Sequence, residues 1–252
     1  MHRFFVPRSG ISSHQAVITD TSQAHHLKDV LRLRPGAQVE VFDEEGRVYA
    51  CRVSSVSKTI TLEIADIREP VLDAQRSGVR LTVGCALLKP RAMDELLDKL
   101  TQAGVERFIP LAARHSISRV DKARETEKVE RWKRIALAAV KQSKGAHIPE
   151  IYPPQSMRQA IQISGKCDLK LIAAVCKGKF TPVSLRAACG GLQPGSAAIF
   201  IGPEGDFTVD EVKLAVEGGF VPVSLGDSVL RAETAAVAAA AFIKLYFQDE
   251  KR

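Results

Sequence analysis

The chain has 252 residues, 45% hydrophobic and 26% charged, a globular mixture with enough apolar side chain for a sizeable core. Its longest unbroken apolar run, Ala235 to Ile243, falls far short of the roughly 20 residues a membrane span needs, so no spanning helix is expected. Against 29 Asp+Glu stand 36 Lys+Arg, a formal +7, distributed as 0 over residues 1–70, +6 over 71–150 and +1 over 151–252; the mid-chain excess fits either a polyanionic partner or a solvated helix face.

The opening Met1-His2-Arg3-Phe4-Phe5-Val6-Pro7 lacks the apolar stretch and small-residue cleavage site of a secretory signal, so a cytoplasmic location is expected. Val39–Phe42, Val48–Val53 and Thr59–Ile64 largely alternate apolar with polar residues, and Glu44-Glu45-Gly46 joins the first two as a hairpin. The pattern predicts a small β-barrel. One helix interrupts it, capped by Thr21 or Ser22, with Ala24, Leu27, Val30 and Leu31 on one face, His25, Lys28 and Arg32 on the other, and Pro35-Gly36 as its stop. Polar Asp66 to Gly78, with Pro70, reads as a linker, which divides the chain into domains at 1–72 and 73–252.

Beyond the linker, near-continuous apolar runs (Leu81–Leu88, Val105–Leu111, Leu169–Val175, Ala197–Ile201, Phe220–Leu225) alternate with helical patterns. Strands apolar on both faces and separated by helices imply a parallel sheet covered on both sides. The predicted helices are Arg91–Ala103, Lys122–Ser143, Val209–Glu217 and Glu233–Phe247; the last is Ala-rich and apolar nearly all round, as for burial against the sheet or a partner subunit. Five cysteines (Cys51, Cys85, Cys167, Cys176, Cys189) form no C-x-x-C pair and sit among apolar or small residues, so disulfide and zinc readings both fail. His25 and His26 are adjacent and face apart, and no H-E-x-x-H occurs, so no metal is expected.

Open α/β sheets place ligands at the carboxyl ends of their strands. After Ile199–Ile201 comes Gly202-Pro203-Glu204-Gly205-Asp206-Phe207-Thr208, which is either a ligand loop with Glu204 as a polar anchor or a tight strand-to-helix turn capped by Thr208. After Val223–Leu225 comes Gly226-Asp227-Ser228-Val229-Leu230-Arg231-Ala232-Glu233-Thr234, whose Arg231 and Glu233 are either functional or a first-turn capping arrangement. No G-x-G-x-x-G follows a strand and no G-x-x-x-x-G-K-[ST] occurs, which removes the main support for dinucleotide and P-loop readings.

Ile201-Gly202-Pro203-Glu204-Gly205, Leu225-Gly226 and Leu230-Arg231-Ala232-Glu233-Thr234-Ala235 together resemble the RsmE family of 16S rRNA (uridine-N3) methyltransferases. Further blocks match along the whole chain: Arg3–Val6, His26-Leu27 to Val30–Arg32, Lys99–Pro110, and Arg131-Trp132 through Gln142 and Pro149. The resemblance implies an α/β trefoil-knot (SPOUT) methyltransferase domain after an N-terminal PUA-like β-barrel that helps hold RNA. It implies a homodimer binding S-adenosyl-L-methionine through Ile201, Gly202, Glu204, Gly205, Leu225, Gly226, Leu230, Arg231 and Ala232.

The expected substrate is 16S ribosomal RNA, within a small ribosomal subunit. Arg231 is the candidate to stabilise charge developing on the uracil ring, and Glu233 to orient Arg231 or accept the N3 proton. Arg3, Arg8, Lys28, Arg32 and Arg34 are the barrel's candidate RNA contacts. Three places depart from the family pattern: Lys141 to His147, where relatives have Glu-Gln and then arginines; Asp206, where Gly is commoner; and Ala173-Ala174-Val175-Cys176, which lacks a polar residue. Two alternatives are a non-catalytic RNA-binding ribosome-assembly factor with an idle cofactor pocket, which the intact loops oppose, and a small-molecule α/β enzyme, which has no use for a barrel that exposes Lys28 and Arg32.

Overall fold

The computed structural model describes residues 1–68, 78–116, 122–143, 145, 147–174 and 180–248. By its contacts the chain divides into two units, Met1–Arg76 with Val140–Ile148, and Ser77–Ala139 with Pro149–Arg252.

In the first unit, β1 (His2–Phe5), β2 (Gln15–Ile18), β3 (Gln38–Phe42), β4 (Val48–Val56) and β5 (Ile60–Arg68) form a barrel-like sheet in the order β1-β3-β4-β5-β2. The alternation puts Val39, Val41, Tyr49, Cys51, Val53, Ile60 and Leu62 into one core with Phe4, Val6, Ile18 and Leu27. Burial pushes the Cys51 thiol up to about 12, as expected of a core cysteine. Strands β3 and β4 pair antiparallel across the Glu44–Gly46 turn, where buried Asp43 accepts the amides of Glu45 and Arg47. Strand β2, with only Ala16 and Ile18 buried, is too short to stand out in the sequence pattern.

The barrel's helix differs from expectation in two ways. The cap of α1 (Thr21–His25) is Asp20, not Thr21 or Ser22; its carboxylate accepts the Gln23 amide at 2.7 Å. The chain then makes a π-type turn over His26–Val30, with the Leu31 amide donating to His26 O at 2.9 Å. This wider turn rotates the following side chains, so Leu27 is buried while Val30 is 58% exposed.

In the second unit, β6 (Arg80–Ala86), β7 (Arg107–Leu111), β8 (Glu150–Ile151), β9 (Leu169–Ala173), β10 (Val183–Ser184), β11 (Ser196–Ile201) and β12 (Val221–Ser224) form an all-parallel sheet ordered β10-β12-β9-β11-β6-β7-β8. The helices are α2 (Pro90–Gln102), α3 (Glu125–Ser143), α4 (Met157–Ile163), α5 (Leu185–Cys189), α6 (Val209–Glu217) and α7 (Ala232–Tyr246). Residues of α4 and α6 share a core with Ile109, Leu111, Ile172, Ala198 and Phe200. Helix α7 lies against β6, β11 and α2 through Ala235, Ala236, Ala239, Ala240 and Ile243, whose small side chains permit close approach.

Two contacts hold this packing in register. A Cβ on Gly84, in mid-β6, would lie 2.5 Å from Phe200 Cδ1, so the phenyl ring requires a glycine there. Near the end of α7, Lys244 Nζ donates to Val79 O at 3.0 Å and to Glu106 Oε1 at 2.9 Å, while Glu106 Oε2 accepts the Leu81 amide at 2.6 Å. The chain passes from β11 through α6 to β12, skipping over β9, then returns past β9 to place α7 on β11 and β6. These two crossings bring the loops after β9, β11 and β12 together at the carboxyl edge of the sheet. The short elements β8, β10, α4 and α5 escape the periodicity reading, though α4 carries a Ser156/Gln159 capping box.

Candidate active site

The loop after β11 is shaped from within and from β7. The Asp206 amide donates to Pro203 O at 2.9 Å, and Asp206 takes φ +59° while its Oδ1 accepts the Phe207 amide at 2.8 Å. The left-handed conformation suits this position to Gly or to Asp, one of the few other residues that adopt it readily. Buried Phe207 anchors the loop in the core. Thr208 caps α6 in a box with Glu211, whose other carboxylate oxygen accepts the Arg114 amide at 2.9 Å. His115 Nδ1 lies 3.1 Å from both Gly205 O and Asp206 O. Both partners are acceptors, so Nδ1 carries the proton and bridges the two carbonyls. The capped-turn and ligand-loop readings are therefore compatible: the turn is capped, and it also faces a cavity.

The loop after β12 is held more lightly. Ser224 Oγ donates to Gly226 O at 3.1 Å and accepts the Gly226 amide at 3.3 Å. Gly226 sits at φ +127° with open space where a Cβ would lie, and Val229 is 82% exposed. Arg231, exposed, is the N-cap residue of α7. Its carbonyl accepts the Ala235 amide at 2.8 Å, and its side chain makes no cap hydrogen bond. Glu233 is half-buried close to the end of β6, where burial chiefly, and the Glu233 charge secondarily, push the Cys85 thiol up. Arg231 and Glu233 form no ion pair with each other.

Between these loops lies a cavity of about 210 Å³. Of the expected cofactor residues, Ile201, Gly202, Glu204, Leu225, Gly226, Leu230 and Ala232 line it; Gly205 and Arg231 do not, Gly205 instead abutting His115. Ala173 and Ala174 of the first loop contribute, while Val175 and Cys176 fall outside the described residues. Sequence reasoning missed Pro182, Ser224, Asp227 and Ser228 as lining residues, and His115 as a loop contact. Asp227 and Ser228 lie inside a loop that the sequence singles out, whereas nothing local marks Pro182 or His115. The lining carries three carboxylates, Glu204, Asp206 and Asp227, and no cation among the described residues, on a chain whose formal charge is +7. Such a cavity suits a cationic ligand and repels phosphate.

In the barrel, Lys28, Arg32 and Arg34 are exposed, Arg32 at φ +51° directly after the π-type turn. Arg8 is exposed and also donates through Nη1 to Tyr49 Oη at 2.9 Å, which in turn donates to Asp43 Oδ2. Arg3 is half-buried with its guanidinium 4.6 Å from the Phe42 ring centroid; desolvation, the largest influence, lowers its pKa. Among the described residues no group of three His, Cys, Asp or Glu is placed to hold a metal, and no helix is long and apolar enough to cross a membrane.

A parallel α/β sheet with its cavity at the carboxyl edge, preceded in the chain by a barrel-like sheet, is here the architecture of an RNA methyltransferase, as the family models show. An RNA methyltransferase domain model matches residues 75–244, and an RNA methyltransferase PUA domain model matches 18–65. Ribosomal RNA small subunit methyltransferase E of Synechocystis sp. is 30% identical over 93% of this chain and 75% of that protein; its Bacillus subtilis namesake is 27% identical over 93% of each. Among solved structures, ribosomal RNA small subunit methyltransferase E of Neisseria gonorrhoeae bound to S-adenosyl methionine superposes with TM-score 0.81 at 27% identity over 100% of both chains. A Legionella pneumophila protein in complex with the bound cofactor SAM gives TM-score 0.82 at 27% identity over 98% of both. The chain belongs to the ribosomal RNA small subunit methyltransferase E family, and its fold is the expected α/β trefoil-knot type with an N-terminal PUA-like, barrel-like sheet.

Proposed function

We propose that the protein methylates N3 of a uridine in 16S ribosomal RNA, using S-adenosyl-L-methionine, in the cytoplasm and as a homodimer. The observation that carries this reading is the acidic cavity at the sheet edge, with no cation among its described lining residues, which fits a cationic methyl donor in a family of RNA methyltransferases. Bound there, S-adenosyl-L-methionine supplies a methyl group already activated by its sulfonium, so alignment and proton management remain for the protein. The backbone of Gly202, Leu225, Gly226 and Leu230 would hold the adenosine part, Gly226 allowing close approach, and Glu204 would offer a carboxylate to its polar groups. Gly205 acts one step back, through the loop that His115 bridges.

Uracil N3 is protonated at neutral pH and must lose its proton as the methyl arrives. Arg231, beside the cavity at the start of α7, supplies positive charge to the ring as electron density builds on it. Glu233, half-buried on the first turn of the same helix, accepts the N3 proton. The absence of an Arg231–Glu233 ion pair leaves both groups available to the substrate. Lys28, Arg32 and Arg34 meet RNA phosphate from the barrel over residues 1–72, while residues 73–252 carry the chemistry. The homodimer uses the outward side of α7, where Phe242 stacks on Tyr246 and Leu245 is 70% exposed.

The test is transfer of tritiated methyl to 16S rRNA, free and in assembled small subunits. Label should appear at uridine N3, with the assembled particle the better substrate. Arg231→Ala should lower turnover by about 10²- to 10³-fold with RNA binding kept, and Lys28→Ala with Arg32→Ala should weaken RNA binding with cofactor affinity unchanged. Cofactor and RNA binding without transfer to either substrate would leave the non-catalytic assembly factor as the reading.

A further inference from the structure

A second cavity, of about 300 Å³, opens beside the first and has the opposite electrostatic character. Its floor is apolar: Leu87 and Leu88 directly after β6, Met93 of α2 and Trp132 of α3, all buried. Its rim carries Arg124, Lys128, Arg131 and Arg134 against only Asp94 and Glu127. Arg131 is committed to Asp94, Nη2 to Oδ2 at 2.5 Å, whereas Arg124, Lys128 and Arg134 form no ion pair with any described residue. Part of the mid-chain positive charge of the sequence is thus gathered around an apolar hole rather than spread over a solvated face.

The two cavities are neighbours along one sheet edge. Strand β6, whose exit supplies Leu87 and Leu88, pairs with β11 in the register Cys85↔Ile201, and Ile201 and Gly202 line the first cavity. One strand spacing, about 4.8 Å, separates the strand ends from which the two cavities open. An apolar slot with a cationic lip is the complement of a nucleotide, whose base is flat and largely apolar and whose phosphate is anionic.

We propose that this cavity docks a nucleotide of the substrate RNA adjacent to the methylated one, the base entering over Leu88, Met93 and Trp132 and its phosphate resting on Lys128 and Arg134. The proposal rests on the RNA-methyltransferase reading above and adds a second RNA-binding place outside the barrel.

Trp132 is the only tryptophan in the chain, so its emission reports on this cavity alone. The probes are 16S rRNA and an oligouridylate, titrated into the full-length protein. Both should quench Trp132. Lys128→Gln with Arg134→Gln should weaken RNA binding at least fivefold, lower the salt slope by roughly 0.7 to 0.9 for each phosphate left without its cation, and leave S-adenosyl-L-methionine affinity at the parent value, which also shows that the variant is folded. Emission unchanged at saturating RNA, or parent-like RNA affinity and salt slope in the variant, would overturn the proposal. So would emission that follows protein concentration without RNA, because a second copy would then cover the cavity. The readouts are independent of transfer: a protein that is quenched by RNA yet methylates nothing refutes the catalytic reading and upholds the docking site.

Discussion

Gly202–Thr208 and Gly226–Arg231 flank one cavity, yet they are held in different ways. The first is braced by a buried phenylalanine, a capping box, a carboxylate tied to the Arg114 amide and a histidine bridging two carbonyls. The second is exposed over residues 226–231 and held by little beyond the Ser224–Gly226 contacts. One wall of the cavity is therefore built by the fold, while the other is free to settle on what enters. Substitutions in the first loop should act through loss of preorganisation, and those in the second through the bound conformation itself.

The largest effect is expected at Gly226. A valine would need φ near +127°, a conformation open to glycine and heavily strained for a β-branched residue. Gly226→Val should abolish the calorimetric signal for S-adenosyl-L-methionine and also lower the melting temperature, through the roughly 1–3 kcal/mol that such backbone strain costs. Unbridging the braced loop should cost less. His115→Ala should weaken cofactor binding about fivefold, from ~1 kcal/mol for a missing hydrogen bond, and His115→Asn, which can present an amide N–H to the same carbonyls, should recover most of it.

Next in size is Thr208→Ala, which removes a cap worth about 1 kcal/mol and should appear as a lower melting temperature more than as altered affinity. The smallest effect is expected for Asp206→Gly, where relief of the left-handed backbone offsets loss of the hydrogen bond to the Phe207 amide; stability should stay within ~0.5 kcal/mol of the parent. If His115→Ala matches the parent in cofactor affinity and loosens nothing in amide exchange, the contrast between a built wall and an adaptable one fails.

Much of the molecule is legible from residue patterns, and the exceptions have physical causes. The parallel strands announce themselves because burial on both faces demands unbroken apolar runs, as in Leu169–Val175. Gly226 stands out because few other residues adopt its positive φ, and Gly202 and Gly205 because a Cβ on either would crowd Phe207 or His115 at 3.2 Å. The helix at 21–31 is misread at Val30 because a π-type turn alters the 3.6-residue period, and its Asp20 cap lies one residue before the expected candidates. His115 is silent in sequence: it lies about 90 positions before the loop it bridges and meets it only because β7 and β11 end on the same edge. The cation-rimmed cavity is half legible, as an excess of charge whose convergence on Trp132 only the packing of α2 and α3 reveals.

Lys244 fixes the far end of the helix that begins beside the cavity. Helix α7 has 15 residues and, at 1.5 Å per residue, spans about 22 Å, with Arg231 at one end and the ammonium of Lys244 clamped to Val79 and Glu106 near the other. Because those two partners precede β6 and β7, the clamp lies at the amino edge of the sheet, opposite the cavity. The helix behaves as a strut whose seating at the far side fixes where Arg231, its N-cap residue, stands beside the cavity. A change in that seating would shift Arg231 without replacing any residue that lines the cavity.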